Sequence, residues 1–363
     1  MAYILGAPGL YVQGKGEITN IGKYASVLGK KYLVVVSEHR LSAIKPLLDE
    51  NVRKYSCTMD YGVFSGECTF KDMDKLAELF AQNGDEVVVG IGGGKALDTA
   101  KGVANKCNAP VVIVPTSAAQ DAPALRLSVV YNEAGEVESY MDHPKNPDMV
   151  IVDSQVIADA PARLLAAGMG DGLATVFEAH ASKLAGLDNA LGGKATHTGI
   201  SFAELCYDLI MKNGLIAYKS AENNVVTTEL EAVIEANIYL SGLGAEATGD
   251  SVAHALYNSF MAIKECRKYL HGELVAFGIL VQLVLENNQE KLQEVIEFTS
   301  RVGLPVTLAE VGIDINNKDC IMHAAERAVS DTATNEPFEV DAQDLYAAIL
   351  VADSIGREYR RTV

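Results

Sequence analysis

Three consecutive glycines and a lysine, Gly92-Gly93-Gly94-Lys95 in "IGGGKALDTAK", separate a β-branched run from a helix-forming run. The run before them, "EVVVGI" at 86–91, reads as a buried strand, and the residues from Gly94 onward read as a helix. No other stretch constrains the fold as strongly. It sets a strand–turn–helix unit and leaves the backbone bare where amide N–H groups and a helix N-terminus can receive an anion such as a pyrophosphate. Lys95 would add a full positive charge. The pattern is not G-x-x-x-x-G-K-[ST], because Val89 stands at its first glycine and Ala96 follows the lysine, and it is not G-x-G-x-x-G. Taken alone, such a cluster fits a plain tight turn as well as a dinucleotide site.

The surrounding sequence repeats the alternation. "KYLVVVS" (31–37), "PVVIVP" (110–115) and "DMVIVD" (148–153) are short apolar strands, and "DMDKLAELFAQNG" (72–84) has helical spacing with a terminal glycine. "LSVVY" and "EVESYM" flank "NEAG" as a hairpin would. Apolar strands alternating with helices imply a mostly parallel sheet covered on both faces. From about Pro161 the strand signal ends, and 163–186, 228–263 and 271–287 are rich in Ala, Leu and Glu. A chain of 363 residues exceeds what one core usually supports. The expectation is an α/β domain over 1–160 and an all-helical domain over 161–363, with a ligand crevice between them.

Composition narrows the partners. The net charge of -18 opposes nucleic acid and anionic membranes, and otherwise serves solubility. The six cysteines lie far apart with no C-x-x-C pair, which reads as free thiols in a reducing compartment. No basic segment followed by an apolar core opens the chain, and the apolar run Leu274 to Leu285, interrupted by Gln282, is too short for a bilayer. A cytoplasmic protein acting on a small molecule, with neither nucleic acid nor membrane as partner, is expected.

Two stretches of the helical half carry candidate chemistry. "GMGDGLATVFEAHA" places Asp171 between glycines at what reads as the start of a helix. "SVAHALYN" sets His254 among small residues, and "YLHGELVAFG" sets His271 before a glycine at a helix start. One carboxylate and two neutral imidazoles suit a divalent transition metal with open positions for a substrate oxygen. Each histidine taken singly reads better as a buried side chain satisfied by one hydrogen bond. His39, His143, His180, His197 and His323 are read that way or as surface residues, and spacing does not join Asp171 to His254.

"GGGKALDTAK", "DAP…LSVVY", "PARLLAAGMGDGLAT", "VIEANIYLSGLG" and "HGELVAFGILVQLVLEN" together resemble the glycerol dehydrogenases of the iron-containing (group III) alcohol dehydrogenase family, almost end to end. The resemblance implies a dehydroquinate synthase-like fold, with an N-terminal Rossmann-like dinucleotide-binding domain and a C-terminal helical metal-binding domain. It maps the metal ligands onto Asp171, His254 and His271 and a substrate-touching aspartate onto Asp121. It places Gly92, Gly93, Gly94 and Lys95 on the pyrophosphate, Asp98 just beyond, Thr116 near the cofactor, and Leu127 and Tyr131 beside the nicotinamide. The implied reaction is NAD-linked oxidation of glycerol or a related vicinal diol, assisted by one divalent metal, zinc in preference to iron. A homo-oligomer, an octamer by the same resemblance, is implied as well.

The chain departs from that pattern at several positions. Ser37, followed by Glu38, His39 and Arg40, stands where an aspartate usually binds the adenine ribose, which admits NADP beside NAD. Leu125 and Arg126 replace small residues, and Arg126 either faces outward or serves as a carboxylate clamp for a 2-hydroxy or 2-oxo acid. The usual "HAxHNG" reads "HALYNS", with Tyr257 and Ser259 reshaping the pocket. A dehydroquinate synthase-like lyase needs more basic residues near the histidines than Lys264, Arg267 and Lys268. A non-catalytic nucleotide-binding protein would not need the intact acid and two imidazoles.

Overall fold

A computed structural model describes residues 1–132 and 135–362. Tyr32-Leu33-Val34-Val35-Val36 has no solvent face, because every one of these side chains is buried. Alternation along the strand divides them between two cores: Tyr32, Val34 and Val36 enter one, Leu33 and Val35 the other. A strand buried on both sides belongs in the middle of a covered parallel sheet. Six strands, β1 (Tyr11–Gly14), β2 (Lys31–Val36), β3 (Thr58–Val63), β4 (Val87–Gly92), β5 (Val111–Pro115) and β8 (Met149–Asp153), form it in the order β1-β8-β5-β4-β2-β3. Every neighbouring pair is parallel.

Helices α1 (Ile21–Ala25) and α2 (Glu38–Arg53) cover one face, and α3 (Phe70–Asn83) and α4 (Gly94–Cys107) the other. Thr69 caps α3 by accepting from the Asp72 N–H, and Gly84 ends it in the left-handed region. From β2 the chain steps to β3 on one side, then returns to β4 on the other. The carboxyl ends of β2 and β4 therefore flank the point where strand order reverses, the usual ligand position in such sheets. β6 (Leu127–Tyr131) and β7 (Val137–Asp142) pair antiparallel, as expected. Glu133 and Ala134 of the expected "NEAG" turn lie outside the described residues.

After α5 (Ser154–Ala158) come α6 (Ala162–Leu184), α7 (His197–Glu222), α8 (Thr228–Glu235), α9 (Ser241–Thr248), α10 (Val252–Phe260), α11 (His271–Leu285), α12 (Gln289–Arg301), α13 (Lys318–Val329) and α14 (Ala342–Thr362). The span 228–263 is not one helix. A π-helical turn, Ala236–Leu240, separates α8 from α9, and Gly249 at φ 113° breaks the chain before α10. Asp171 also departs from expectation: it sits midway along α6, not at a helix start. Glycines usually end helices, but here Gly170 allows close approach of another backbone, and Gly172 that of the Ile210 and Cys206 side chains. A Cβ at Gly272 would lie 1.7 Å from the Ala167 carbonyl oxygen, and one at Gly170 2.3 Å from that of Gly272. Backbone therefore meets backbone where α6 crosses α11. The residues from Gly272 to Leu283 are all buried, so α11 is the central helix of this half. Among the described residues, no helix is long and apolar enough to cross a membrane.

Candidate functional site

The close crossing brings the start of α11 onto the middle of α6. The Leu270 N–H donates to Glu273 Oε2 at 2.9 Å, and Arg163 grips Glu273 with two bonds of 2.6 and 2.8 Å, fixing that start. His271 Nε2 then lies 3.0 Å from Asp171 Oδ1. His254, in the first turns of α10, places its Nε2 3.3 Å from the same oxygen. Asp171, His254 and His271 each offer one ligand atom, and these atoms lie within 4.8 Å of one another. Asp171 is 2% exposed, and its Oδ2 is buried without a hydrogen-bond partner. A buried carboxylate with a spare oxygen facing two imidazole nitrogens is a donor set that fits a divalent cation.

Glu178 stands two helical turns beyond Asp171 on the same face of α6 and is 1% exposed. Its Oε2 accepts from His254 Nδ1 at 2.6 Å, while Oε1 accepts the backbone N–H groups of Ser251 at 2.8 Å and His254 at 3.0 Å. That contact fixes the imidazole with Nε2 toward Asp171, as carboxylate–histidine pairs do behind metals. Burial pushes the Asp171 carboxyl up, but His271 and His254 outweigh it and hold it well below the usual carboxylate range. Burial likewise disfavours the His254 cation, yet Glu178, Asp250 and the bond to Asp171 raise it well above its ordinary value.

Asp121 follows β5 on a loop that reaches into the helical half. Its Oδ2 accepts from Ser241 Oγ at 3.3 Å, and burial, then the charge of Asp171, raise its carboxyl well above the usual range. Tyr257 sets its ring edge-on to His271, with centroids 4.1 Å apart, and Ser259 is buried nearby on α10. Leu125 packs against Gly242, where a Cβ would come within 3.3 Å of it.

At the sheet, Gly93 precedes α4 as an N-cap without a side chain, and a Cβ there would meet nothing of the protein. Internal packing therefore does not require that glycine, whereas a close-lying anion would. Gly94 differs, since a Cβ would come 1.9 Å from Gln120 Nε2. The Thr116 N–H donates to Gly92 O at 2.9 Å, tying the end of β5 to the turn, and Ser37 stands at the N-cap of α2 across the switch point. Lys95 reaches Glu67 at 2.5 Å and lies 5.1 Å from the Tyr131 ring centroid. Asp98 turns inward, 2.8 Å from Lys101 Nζ, and accepts the Val129 N–H at 3.1 Å. Lys101 also donates to Ala122 O at 3.1 Å and to Leu127 O. This buried pair clamps β6, which carries Leu127 and Tyr131. Arg126 donates through Nη2 to Ala190 O at 3.2 Å, so its guanidinium already serves a loop carbonyl.

Glu178, Gln120, Lys101 and Ser241 were not singled out from sequence. Glu178 had a usable signal, its seven-residue offset from Asp171. Ser241 had none, because only tertiary packing brings it to Asp121.

The model of the iron-containing alcohol dehydrogenase family matches residues 8–154. The chain is 44% identical to a glycerol dehydrogenase of Citrobacter freundii, with 99% of each chain covered. It is 41% identical to a glycolaldehyde reductase of Halobacterium salinarum, over 99% of this chain and all of that one. Among solved structures it resembles glycerol dehydrogenase from Schizosaccharomyces pombe, with a TM-score of 0.95 and 31% identity over 99% of this chain and 93% of that one.

Proposed function

This chain belongs to the iron-containing alcohol dehydrogenase family, and from that premise we propose that it oxidises glycerol, or a closely related vicinal diol, to the hydroxyketone with NAD as hydride acceptor. The observation that carries this reading is the pair Gln120-Asp121. Gln120 lies over Gly94 of the glycine turn, and the next residue lies within the electrostatic reach of Asp171. One short loop thus links the glycine turn to the surroundings of the triad, which supports a cofactor and a substrate held side by side.

Residues 1–160 would form the dinucleotide-binding part and 161–363 the metal- and substrate-binding part. Gly92, Gly93 and Gly94 would admit the pyrophosphate to the N-terminus of α4. Ser37 and Glu38 would meet the adenine ribose, and Thr116, Leu127 and Tyr131 would wall the nicotinamide, with Asp98 acting through its hold on β6. Lys95 would serve both the phosphates and Glu67. Asp171, His254 and His271 would hold one divalent cation, and two imidazoles with one carboxylate suit zinc. When bound, the cation supplies Lewis acidity at a hydroxyl oxygen and the nicotinamide supplies an acceptor for hydride. Asp121, held by Ser241, would orient the second hydroxyl by hydrogen bonding, and Tyr257 would exclude water beside His271. Assembly as a homo-octamer in the cytoplasm completes the proposal.

A panel of glycerol, 1,2-propanediol and 2-hydroxybutyrate, assayed with NAD and NADP before and after chelation, tests it. Diol oxidation with NAD, abolished by chelator and restored by zinc, is expected. Turnover that survives full metal removal, or activity confined to the hydroxy acid, would overturn it.

A further inference from the structure

Apart from the candidate site, a cavity of about 460 Å³ opens between α6, α7 and the segment at Glu336-Pro337-Phe338. None of Asp121, Asp171, His254 or His271 lines it. Its walls are aromatic and aliphatic: Phe177 and Tyr207 meet edge to face at 5.6 Å, and Leu184 and Phe338 stand exposed at the mouth. The acid at its base is unusual. Glu336 is 5% exposed; its Oε1 accepts from Ser251 Oγ at 2.7 Å, while Oε2 is buried with no hydrogen-bond partner. Burial, and then the charges of Glu286 and Glu178, raise this carboxyl to about 7. Glu286 lines the same cavity, is itself raised by burial, and accepts from Gln282 at 2.8 Å.

The basic side chains nearby are engaged elsewhere. Lys291 bonds Glu294 at 2.7 Å and the Tyr207 hydroxyl at 3.2 Å, and His180 lies 3.2 Å from Glu204. One buried and one half-buried carboxyl beside an aromatic wall disfavour an anion. They also provide too few oxygens for calcium or magnesium. An ammonium group would satisfy the spare Glu336 oxygen with a charge-assisted bond, and its carbon chain would lie against Phe177, Tyr207 and Phe338.

We propose that this cavity is a second small-molecule site selective for an organic ammonium ion, with Glu336 Oε2 beside Glu286 receiving the N–H groups and Phe177, Tyr207 and Phe338 enclosing the chain. The site adjoins the metal triad through Ser251, which donates its hydroxyl to Glu336 and its backbone N–H to Glu178, the residue that holds His254.

Three probes of equal length, hexylammonium, hexanol and hexanoate, separate the possibilities in calorimetric titrations of the metal-loaded enzyme. Saturable hexylammonium binding at about 1 mM or tighter is expected, with hexanol weaker and hexanoate undetectable. Glu336→Gln keeps an acceptor for Ser251 and removes the charge, so hexylammonium should weaken at least about tenfold. Phe338→Ala, at the exposed mouth where folding is not at stake, should weaken hexylammonium and hexanol alike. Equal binding of the cation and the neutral alcohol, unchanged affinity in Glu336→Gln, or no saturable binding by hexylammonium would each overturn the proposal.

Discussion

Replacing Glu178 with alanine should loosen the metal centre without touching any ligand. The substitution removes the 2.6 Å contact that orients His254 and leaves the N–H groups of Ser251 and His254 without their acceptor. Loss of such a supporting carboxylate costs about 10–100-fold in metal affinity, or roughly 1.4–2.7 kcal/mol. The two stranded backbone donors add about 1–3 kcal/mol each to the destabilisation of the metal-free fold. Glu178→Gln should fall between, because one amide oxygen can serve either the imidazole or the backbone donors but not both. Competition with a chromophoric chelator gives the dissociation constant, and melting with and without zinc gives the stability. At a fixed zinc concentration the metal-induced rise in Tm should shrink in step with the lost affinity. A folded Glu178→Ala protein whose zinc affinity stays within about twofold of the parent would show that the carboxylate does not set His254.

Gly272→Ala places a Cβ against the backbone oxygen of Ala167, which cannot yield, so α11 must lift from α6. The expected cost is about 1–3 kcal/mol, together with weakened zinc binding as His271 leaves Asp171, and an unchanged Tm would refute the close-crossing argument. Metal uptake should also expel a proton. His254 is held above its ordinary value, so its protonated form stabilises the metal-free fold below the usual imidazole range, and that contribution fades as pH rises through the raised value. Ligation needs the free nitrogen, so zinc affinity should climb about tenfold per pH unit below that raised value. Calorimetry in buffers of different ionisation enthalpy checks this, and affinity flat from about pH 6 to 8 would contradict it.

The sheet was legible because β2, β4, β5 and β8 are buried on both faces and read as unbroken apolar runs. β1 and β3 were not recognised: both are edge strands, one with only four residues and the other with Asp60 and Gly62 diluting the pattern. The glycines around Asp171 suggested a helix boundary because glycine weakens helices, and local propensity carries no trace of the neighbouring helices that need them bare. Asp171, His254 and His271 lie 83 and 100 residues apart in their pairings, and no periodicity links positions joined only by packing. Resemblance linked them, and the structure brings them together.

The π-helical turn at Ala236–Leu240 is a matter of counting. Its wider hydrogen-bonding holds one residue more than an α-helical turn, and one residue corresponds to about 100° of rotation. The face that α9 shows is therefore out of phase with α8, and this offset points Ser241 and Gly242 at Asp121. Deleting a single residue within 236–240 would leave both helices nearly intact in composition and swing that face away. At this place the number of residues sets the phase, and the buried Asn237 pins the turn by donating to Ala118 O and Leu165 O.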